Sequence, residues 1–276
     1  MQAKKNIRTA SSNNITLWRH RHLIRQLIVR ELNQQYRASF LGIFWAVITP
    51  LFNLLIYTVV FSMILHVATP PPPGITYTLP YALILFAGLI PYTILAEVLG
   101  KSTSLILSKP SYVKKIVFPL EILGIVTVGV ALIQSLIGFG LLLVGVLIFA
   151  KTLHLTALLL PVVLAPLLLL ALGMGWFLSS LGVYLRDVKE AVVLFLRIWF
   201  FLTPLVYPIT RVPDNLLWVM KLNPLVFVVE ASRNILLWGK FFSWKEWAVW
   251  MLIGSITTIL GYIWFDKTRK GFADVL

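Results

Sequence analysis

Long stretches without a charged residue dominate this sequence. The run from Ala38 to Leu65 contains no Asp, Glu, Lys or Arg, and several later runs are nearly as apolar. Hydrophobic residues make up 59% of the 276 residues and charged residues 12%, against about 25% charged in an average soluble domain. A soluble fold of this length cannot hide so much apolar surface. We therefore predict an all-α integral membrane protein, because helices satisfy their backbone hydrogen bonds within lipid.

A spanning helix needs about 20 apolar residues, and segments of that kind recur along the chain. We predict about six transmembrane helices, with a cytoplasmic region at 1–37 followed by a transmembrane domain at 38–276. The spans are expected at about 38–65, 79–98, 120–150, 156–185, 190–208 and 246–266. Pro50 is expected to kink the first span.

The formal net charge of +14 is distributed in a way that argues against nucleic-acid binding. Lys and Arg form short clusters beside the predicted spans, where anionic lipid headgroups would meet them. Most of these clusters share one side of a six-span topology, so the positive-inside rule predicts a cytoplasmic location for both termini. The segment 208–246 opposes the rule, because it carries the basic residues Arg211, Lys221, Arg233, Lys240 and Lys245.

Residues 15–36 predict an amphipathic helix lying in the cytoplasmic interface. At helical spacing one face is apolar and is expected to enter the acyl boundary; it holds Leu23, Ile24, Leu27, Ile28 and Leu32. Arg25 and Arg30 lie on the other face. The helix is either an anchor alone or, together with Tyr36 and Arg37, a site that attracts a phosphate-bearing lipid. Arg197, inside the fifth predicted span, either snorkels to the interface or meets the same phosphate.

Aromatic residues are dense in the first and fifth predicted spans. Their rings could stack on the apolar faces of sugars and line a pathway, or they could belong to interfacial belts and packing. The candidate lining residues are Phe40, Phe44, Trp45, Phe52, Tyr57, Phe195, Trp199 and Tyr207. Phe195 and Trp199 are four residues apart and should share a helix face.

Two charged segments suggest further roles. The connection 108–119 is short, basic and partly apolar, so it is either a small helix that docks into a partner's groove or a plain charged loop. Glu230 and Arg233 are three residues apart and can pair on one helix, which would allow a shallow re-entrant hairpin. The sequence contains no G-x-x-x-x-G-K-[ST] loop for ATP and no cysteine, so we expect no nucleotide site and no disulfide on this chain.

Several motifs, in this order and spacing, resemble the permease subunits of ABC-2 type exporters, in particular the O-antigen and teichoic-acid polysaccharide permeases. The matching stretches are YRASFLGIFWAVITPL at 36–51, FPLE at 118–121, RDV at 186–188, FFLTPLVYP at 200–208, NPL at 223–225, EASRNILLWGK at 230–240 and FADVL at 272–276. They extend over nearly the whole chain.

The resemblance implies a homodimer in the bacterial cytoplasmic (inner) membrane, joined to two copies of a separate ATPase that holds ATP and Mg²⁺. No cofactor would then be bound by this chain itself. The stretch at 102–118, the coupling segment, would hold a helix that contacts the ATPase, through Ser108, Lys109, Tyr112, Lys114, Lys115 and Phe118. The segment 209–240 would form a re-entrant helical hairpin acting as an external gate, with the Glu230–Arg233 pair inside it.

The substrate implied is a glycan on an undecaprenyl diphosphate-type carrier, whose headgroup would meet Arg25, Arg30, Tyr36, Arg37 and Arg197. One alternative is an ABC-2 exporter of another cargo, such as teichoic acid, capsule polysaccharide, a lipid or a drug. A membrane enzyme acting on lipid-linked sugars is a second alternative, and it would be expected to show more acid–base groups. An ion-coupled carrier would need midplane acids, which the sequence does not show.

Overall fold

The computed structural model describes residues 20–37, 39–67, 71–114, 118–207 and 212–275. Within these ranges the protein consists of helices and connecting loops, with no strand. The predicted all-α class is confirmed. Most of the amino-terminal segment, Lys115 and residues 208–211 lie outside the described ranges.

Eleven α-helices are assigned in the described residues. They are α1 (Arg21–Tyr36), α2 (Trp45–Tyr57), α3 (Tyr81–Ser102), α4 (Pro110–Lys114), α5 (Glu121–Ala150), α6 (Leu160–Tyr184), α7 (Val188–Phe201), α8 (Leu217–Lys221), α9 (Pro224–Leu237), α10 (Trp244–Thr268) and α11 (Phe272–Val275). Short 3₁₀ turns precede α2, α6, α8 and α11, and α2 continues into a π-helix at Thr58–Ile64.

Among the described residues, five helices are long and apolar enough to cross a bilayer. They are Trp45–Ile64, Tyr81–Ser102, Glu121–Ala150, Leu155–Tyr184 and Trp244–Val275. The fifth predicted span is represented by α7, which has 14 residues and is therefore about 21 Å long. The predicted segment 209–240 contains the five-residue α8 and the 14-residue α9.

The core of the bundle is built around α3, which packs against α5, α6 and α9 and has most of its side chains buried. Beside it, α10 lies along α6 at very short range. A Cβ added to Gly261 would lie 2.1 Å from the carbonyl oxygen of Gly173, and one added to Gly254 would lie 2.7 Å from that of Pro166. Small residues allow helix backbones to approach in this way. Because the hydrophobic effect does not drive helix association in lipid, dense van der Waals packing stabilises such helix pairs.

The packing of α1 gives its apolar face a neighbour that the sequence did not predict. The helix forms, and its apolar face contacts α5: Leu23, Ile24, Leu27, Ile28 and Leu32 lie against Ile122, Val126 and Val130. A Cβ at Gly129 would lie 2.6 Å from Cδ1 of Ile28. An apolar stripe is satisfied equally by lipid or by a neighbouring helix, so the sequence pattern alone does not distinguish the two.

The outer surface of α2 and α7 is uncovered in the single chain. No residue of Trp45–Ile64 is buried, and Phe52, Leu55 and Phe201 are exposed. The α2–α7 side of the protomer therefore has apolar surface that must face lipid or another chain.

Candidate functional site

A basic depression lies on the polar face of α1. It has a volume of about 870 Å³, and the charged side chains that line it are Arg25, Arg30 and Arg37, beside His22, Gln26 and Asn33. Guanidinium groups match phosphate in geometry and charge. Among the described residues Arg197 does not line this depression; it is exposed on α7. The backbone of Tyr36 ends α1, and its side chain is outside what the structure describes.

The predicted coupling segment contacts α1 directly. Lys109 Nζ lies 2.9 Å from Glu31 Oε2, and Arg30 Nη1 donates a hydrogen bond of 3.4 Å to the Tyr112 hydroxyl. Ser108 donates to the Leu105 carbonyl at 3.0 Å, which closes the turn before α4. These contacts join the coupling segment to the helix that carries the basic depression.

The carboxyl-terminal residues support the other side of this segment. Phe272 is fully buried in a cluster with Leu105, Leu120 and Phe265, against which Tyr112 and Phe118 pack. The Tyr112 and Phe118 ring centroids are 4.6 Å apart, while Lys114 is exposed. Arg269 pairs with Glu121 at 3.0 Å and ties the end of α10 to the start of α5. The coupling segment is therefore held between α1 and the carboxyl-terminal helix.

A second cavity is a cleft of about 340 Å³ between α2, α3 and α5. Trp45, Thr49, Asn53 and Tyr57 line it from α2 at intervals of four residues, so they form one stripe along that helix. The polar residues that face them from the other helices are Thr93, Glu97, Gln134 and Ser135, with Gln35 at the end of α1. Gln134 donates to Gln35 at 2.9 Å, and Glu97 pairs with Lys101.

The opposite end of the bundle is fastened by Arg233, which is 6% exposed. Its guanidinium donates to the carbonyl oxygens of Ile84, Pro204 and Leu205 at 3.0–3.1 Å and pairs with Glu230 at 2.8 Å. The ion pair expected from the sequence thus forms. A buried cation needs such a set of acceptors, because desolvation is otherwise prohibitive.

Room for this guanidinium is provided by a glycine. A Cβ at Gly88 would lie 3.0 Å from Arg233 Nη2 and 3.0 Å from Val229 Cγ1. The absence of a side chain at this position lets α9 approach α3 closely.

Asn223 joins α7 to α9. Its side-chain oxygen accepts from Leu225 N at 3.0 Å, capping α9, and from Trp199 Nε1 at 2.8 Å. Its amide nitrogen donates to the Thr203 hydroxyl at 2.9 Å. With Pro224 at the first helical position, the sequence NPL is an efficient helix start. The same residue fixes the Trp199 ring.

Tyr77 fastens the loop before α3 to the end of α9. Its hydroxyl donates to the Leu237 carbonyl at 2.6 Å and lies 2.7 Å from His154 Nε2, and partial burial raises the pKa of Tyr77. At this end α9 closes with Gly239, whose φ of +64° suits glycine. Tyr207 donates to the Phe201 carbonyl at 2.6 Å.

The structure separates the predicted lining aromatics into groups. Trp45 and Tyr57 face the cleft, whereas Phe40, Phe44 and Phe52 are exposed elsewhere on the surface. On α7, the rings of Phe195 and Trp199 are in contact with centroids 4.7 Å apart. Thr49 and Asn53 were not among the residues predicted from the sequence to line a pathway, although their spacing of four within an uncharged span was a signal that could have found them. Asn223 and Phe272 stood in recognised motifs, but their contacts were not foreseen.

Within the described ranges, no three His, Asp or Glu side chains converge in a way that could hold a metal ion. The polar groups instead lie in the basic depression, in the cleft and around the hydrogen-bonded Arg233. Such a set can attract, contact and admit a polar molecule.

A helical bundle with several apolar helices of spanning length, a basic face at one end and a polar cleft between helices defines a multi-pass membrane protein. More specifically, the chain belongs to the ABC-2 type transporter family, whose pattern matches residues 22–237.

Curated proteins with similar sequences are named as export permeases or as a transport protein. The chain is 28% identical over 265 residues to the O-antigen export system permease protein RfbA of Myxococcus xanthus, covering 94% of this chain and 96% of that protein. It is 24% identical over 248 residues to RfbA of Klebsiella pneumoniae, covering 90% and 92%. It is 24% identical over 221 residues to the polysialic acid transport protein KpsM of Escherichia coli, covering 78% and 81%.

Proposed function

We propose that this protein is the membrane permease subunit of an ATP-driven polysaccharide exporter. The observation that carries the proposal is likeness along nearly the whole chain to permeases named for O-antigen export, within the ABC-2 transporter family. The basic depression on α1 supports it, because an anionic lipid carrier needs such a surface.

The proposed topology has six spans. In it, α7 and the residues that follow it to about 207 form the fifth span, because α7 alone is about 21 Å long and the hydrocarbon core is about 30 Å thick. The segment with α8 and α9 then forms a re-entrant external gate between the fifth and sixth spans. Both termini lie in the cytoplasm of a bacterium, and the chain resides in the cytoplasmic membrane.

In the assembled exporter, two copies of this permease join two copies of a cytoplasmic ATPase. The exposed apolar faces of α2 and α7 support a homodimer, because a second copy would cover them. The coupling segment supports ATPase docking, since it is basic and braced from behind by Glu31 and Phe272. ATP and Mg²⁺ belong to the partner subunit.

The proposed substrate is a polysaccharide linked to a lipid diphosphate such as undecaprenyl diphosphate. Its phosphates would approach Arg25, Arg30 and Arg37, with Tyr36 at the end of the same helix, and Arg197 would meet them further along. The glycan would then pass aromatic side chains of α2 and α7, and the Glu230–Arg233 pair would hold the gate segment closed against α3.

Deleting the coding sequence tests this function. We expect the deletion strain to lose its surface polysaccharide and to accumulate lipid-linked glycan inside the cell, and a plasmid copy should restore both. Undiminished surface polysaccharide, with another cargo retained in the cell instead, would contradict the proposed function.

A further inference from the structure

We propose that the cleft between α2, α3 and α5 is a hydrated binding site for the saccharide part of the exported molecule. The inference rests on the proposed function and goes beyond it. It assigns sugar contact to polar side chains within one protomer, in addition to the aromatic faces of α2 and α7.

Helix α2 has two faces of different composition. Trp45, Thr49, Asn53 and Tyr57 face the cleft, while the other side of the helix carries exposed apolar residues such as Leu55. A spanning helix in contact with lipid on all sides has no reason to concentrate an amide and a hydroxyl on one stripe. Polar groups inside a membrane are costly and collect where they meet water, protein or ligand.

The helices that face α2 also direct polar side chains toward the cleft. Thr93 is exposed on α3, a helix whose side chains are otherwise mostly buried, and it faces the cleft with Gln134 and Ser135 of α5. Three helices that pack mainly through apolar residues thus turn polar side chains toward one space.

Pro50 adds a backbone acceptor to the same space. Proline has no N–H, so Pro50 cannot donate the helical hydrogen bond that the Ala46 carbonyl would otherwise accept. Both residues line the cleft.

The chemistry of this set fits a hydroxyl-rich ligand. Amide and hydroxyl side chains supply donors and acceptors together, as sugar hydroxyls require, and the Trp45 and Tyr57 rings offer flat apolar faces. From Trp45 to Tyr57 the stripe extends about 18 Å along the helix axis, which is more than half of the hydrocarbon thickness. It begins at the end of the bundle where α1 carries the basic depression. A lipid diphosphate held there would place its first sugars at the mouth of the cleft.

Single-cysteine labelling tests the site, because the chain has no cysteine of its own. Asn53→Cys and the matched control Leu55→Cys, on the other side of the same helix, are each made in the exporter complex in lipid nanodiscs. A charged, membrane-impermeant thiol reagent should modify Asn53→Cys at least about tenfold faster, since a thiol in lipid or in an apolar interface between subunits cannot ionise. Added lipid-linked glycan should slow the reaction at position 53, and undecaprenyl phosphate without sugars should not.

Three results would overturn the inference. The first is equal lack of reactivity of the two cysteines. The second is cross-linking of two permease copies through Asn53→Cys, which would make the cleft a dimer interface. The third is protection by the sugar-free carrier as strong as that by the glycan, which would make the cleft a lipid-chain site. Each of these leaves the proposed function intact if the deletion strain still lacks surface polysaccharide.

A functional readout accompanies the labelling. Combining Asn53→Leu with Thr93→Val removes two hydrogen-bonding groups, and we expect glycan export to fall at least about fivefold with dimer assembly unchanged. Thr93→Ser keeps the hydroxyl and should retain export. Full export by the double variant would also overturn the inference.

Discussion

Arg233 shows how much one side chain contributes at the residue scale. Its guanidinium joins three segments that are far apart in sequence: α3 through Ile84, the turn after α7 through Pro204 and Leu205, and α9 itself. Five N–H donors in a fixed plane suit this role, and a lysine has no such fork. The ion pair with Glu230 was predictable from a spacing of three, whereas the carbonyl acceptors were not, because they depend on the tertiary approach at Gly88.

Replacing Arg233 by Met should destabilise the fold by about 3–5 kcal/mol, since buried acceptors would lose their donors. Arg233→Lys should recover only part of this loss. Thermal unfolding in detergent measures the effect, with Lys221→Met at an exposed position as the control. Equal unfolding temperatures for the Arg233 and Lys221 variants would contradict the account.

Asn223→Ala should cost about 2–3 kcal/mol, about 1 from the lost helix cap and the rest from the unpaired Trp199 indole. Asn215→Ala, in the exposed turn before α8, is the matched control and should unfold as the parent does. Tryptophan fluorescence emission reports on the Trp199 indole independently of the unfolding measurement. An unchanged emission spectrum for Asn223→Ala would argue against the contact between Asn223 and Trp199.

At the scale of elements, the periodicity of residues 21–36 was sufficient to predict α1. Its neighbour was not predictable, because Ile28 is equally suited to lipid and to Gly129 of α5. For the same reason the Thr49–Asn53 stripe was visible in principle, but the helices that face it were not. The sequence also predicted one span at 190–208, whereas α7 has 14 residues and ends at Phe201. The prediction extended further because the apolar composition continues past the end of the helix.

The contact between α1 and the coupling segment predicts a charge-swap result. Glu31→Lys and Lys109→Glu should each reduce the coupling of ATP hydrolysis to export, and the combined swap should restore it. Both groups are partly exposed, so the effect on stability should stay below about 1 kcal/mol. Coupling is measured as glycan exported per ATP hydrolysed, and a swap that fails to restore it would show that the pair has no part in transmission.

Helix packing predicts opposite outcomes for two glycine substitutions. Gly261→Ala places a Cβ 2.1 Å from the Gly173 carbonyl oxygen and should force α6 and α10 apart, whereas a Cβ at Gly140 meets no atom within 4 Å. Gly140→Ala should therefore stabilise its helix by up to about 1 kcal/mol. Yield and thermal stability in detergent are measured for both variants. A Gly261→Ala variant with the yield and stability of the parent would contradict the close crossing of α6 and α10.

At the scale of the whole molecule, the two ends of the bundle have different chemistry. One end carries the basic face of α1, the coupling segment and α11, and the other is closed by α9 through Arg233, Asn223 and Tyr77. The polar cleft extends inward from the first end. This difference between the two ends supports the proposed one-way export.

Reconstituted transport tests this account most directly. The permease and its partner ATPase are placed together in liposomes, and lipid-linked polysaccharide reaching the opposite face is measured with and without ATP. We predict translocation that requires ATP and both subunits, with no ATP hydrolysis by the permease alone. Translocation by the permease without ATP, or ATP hydrolysis by the purified permease, would contradict the account.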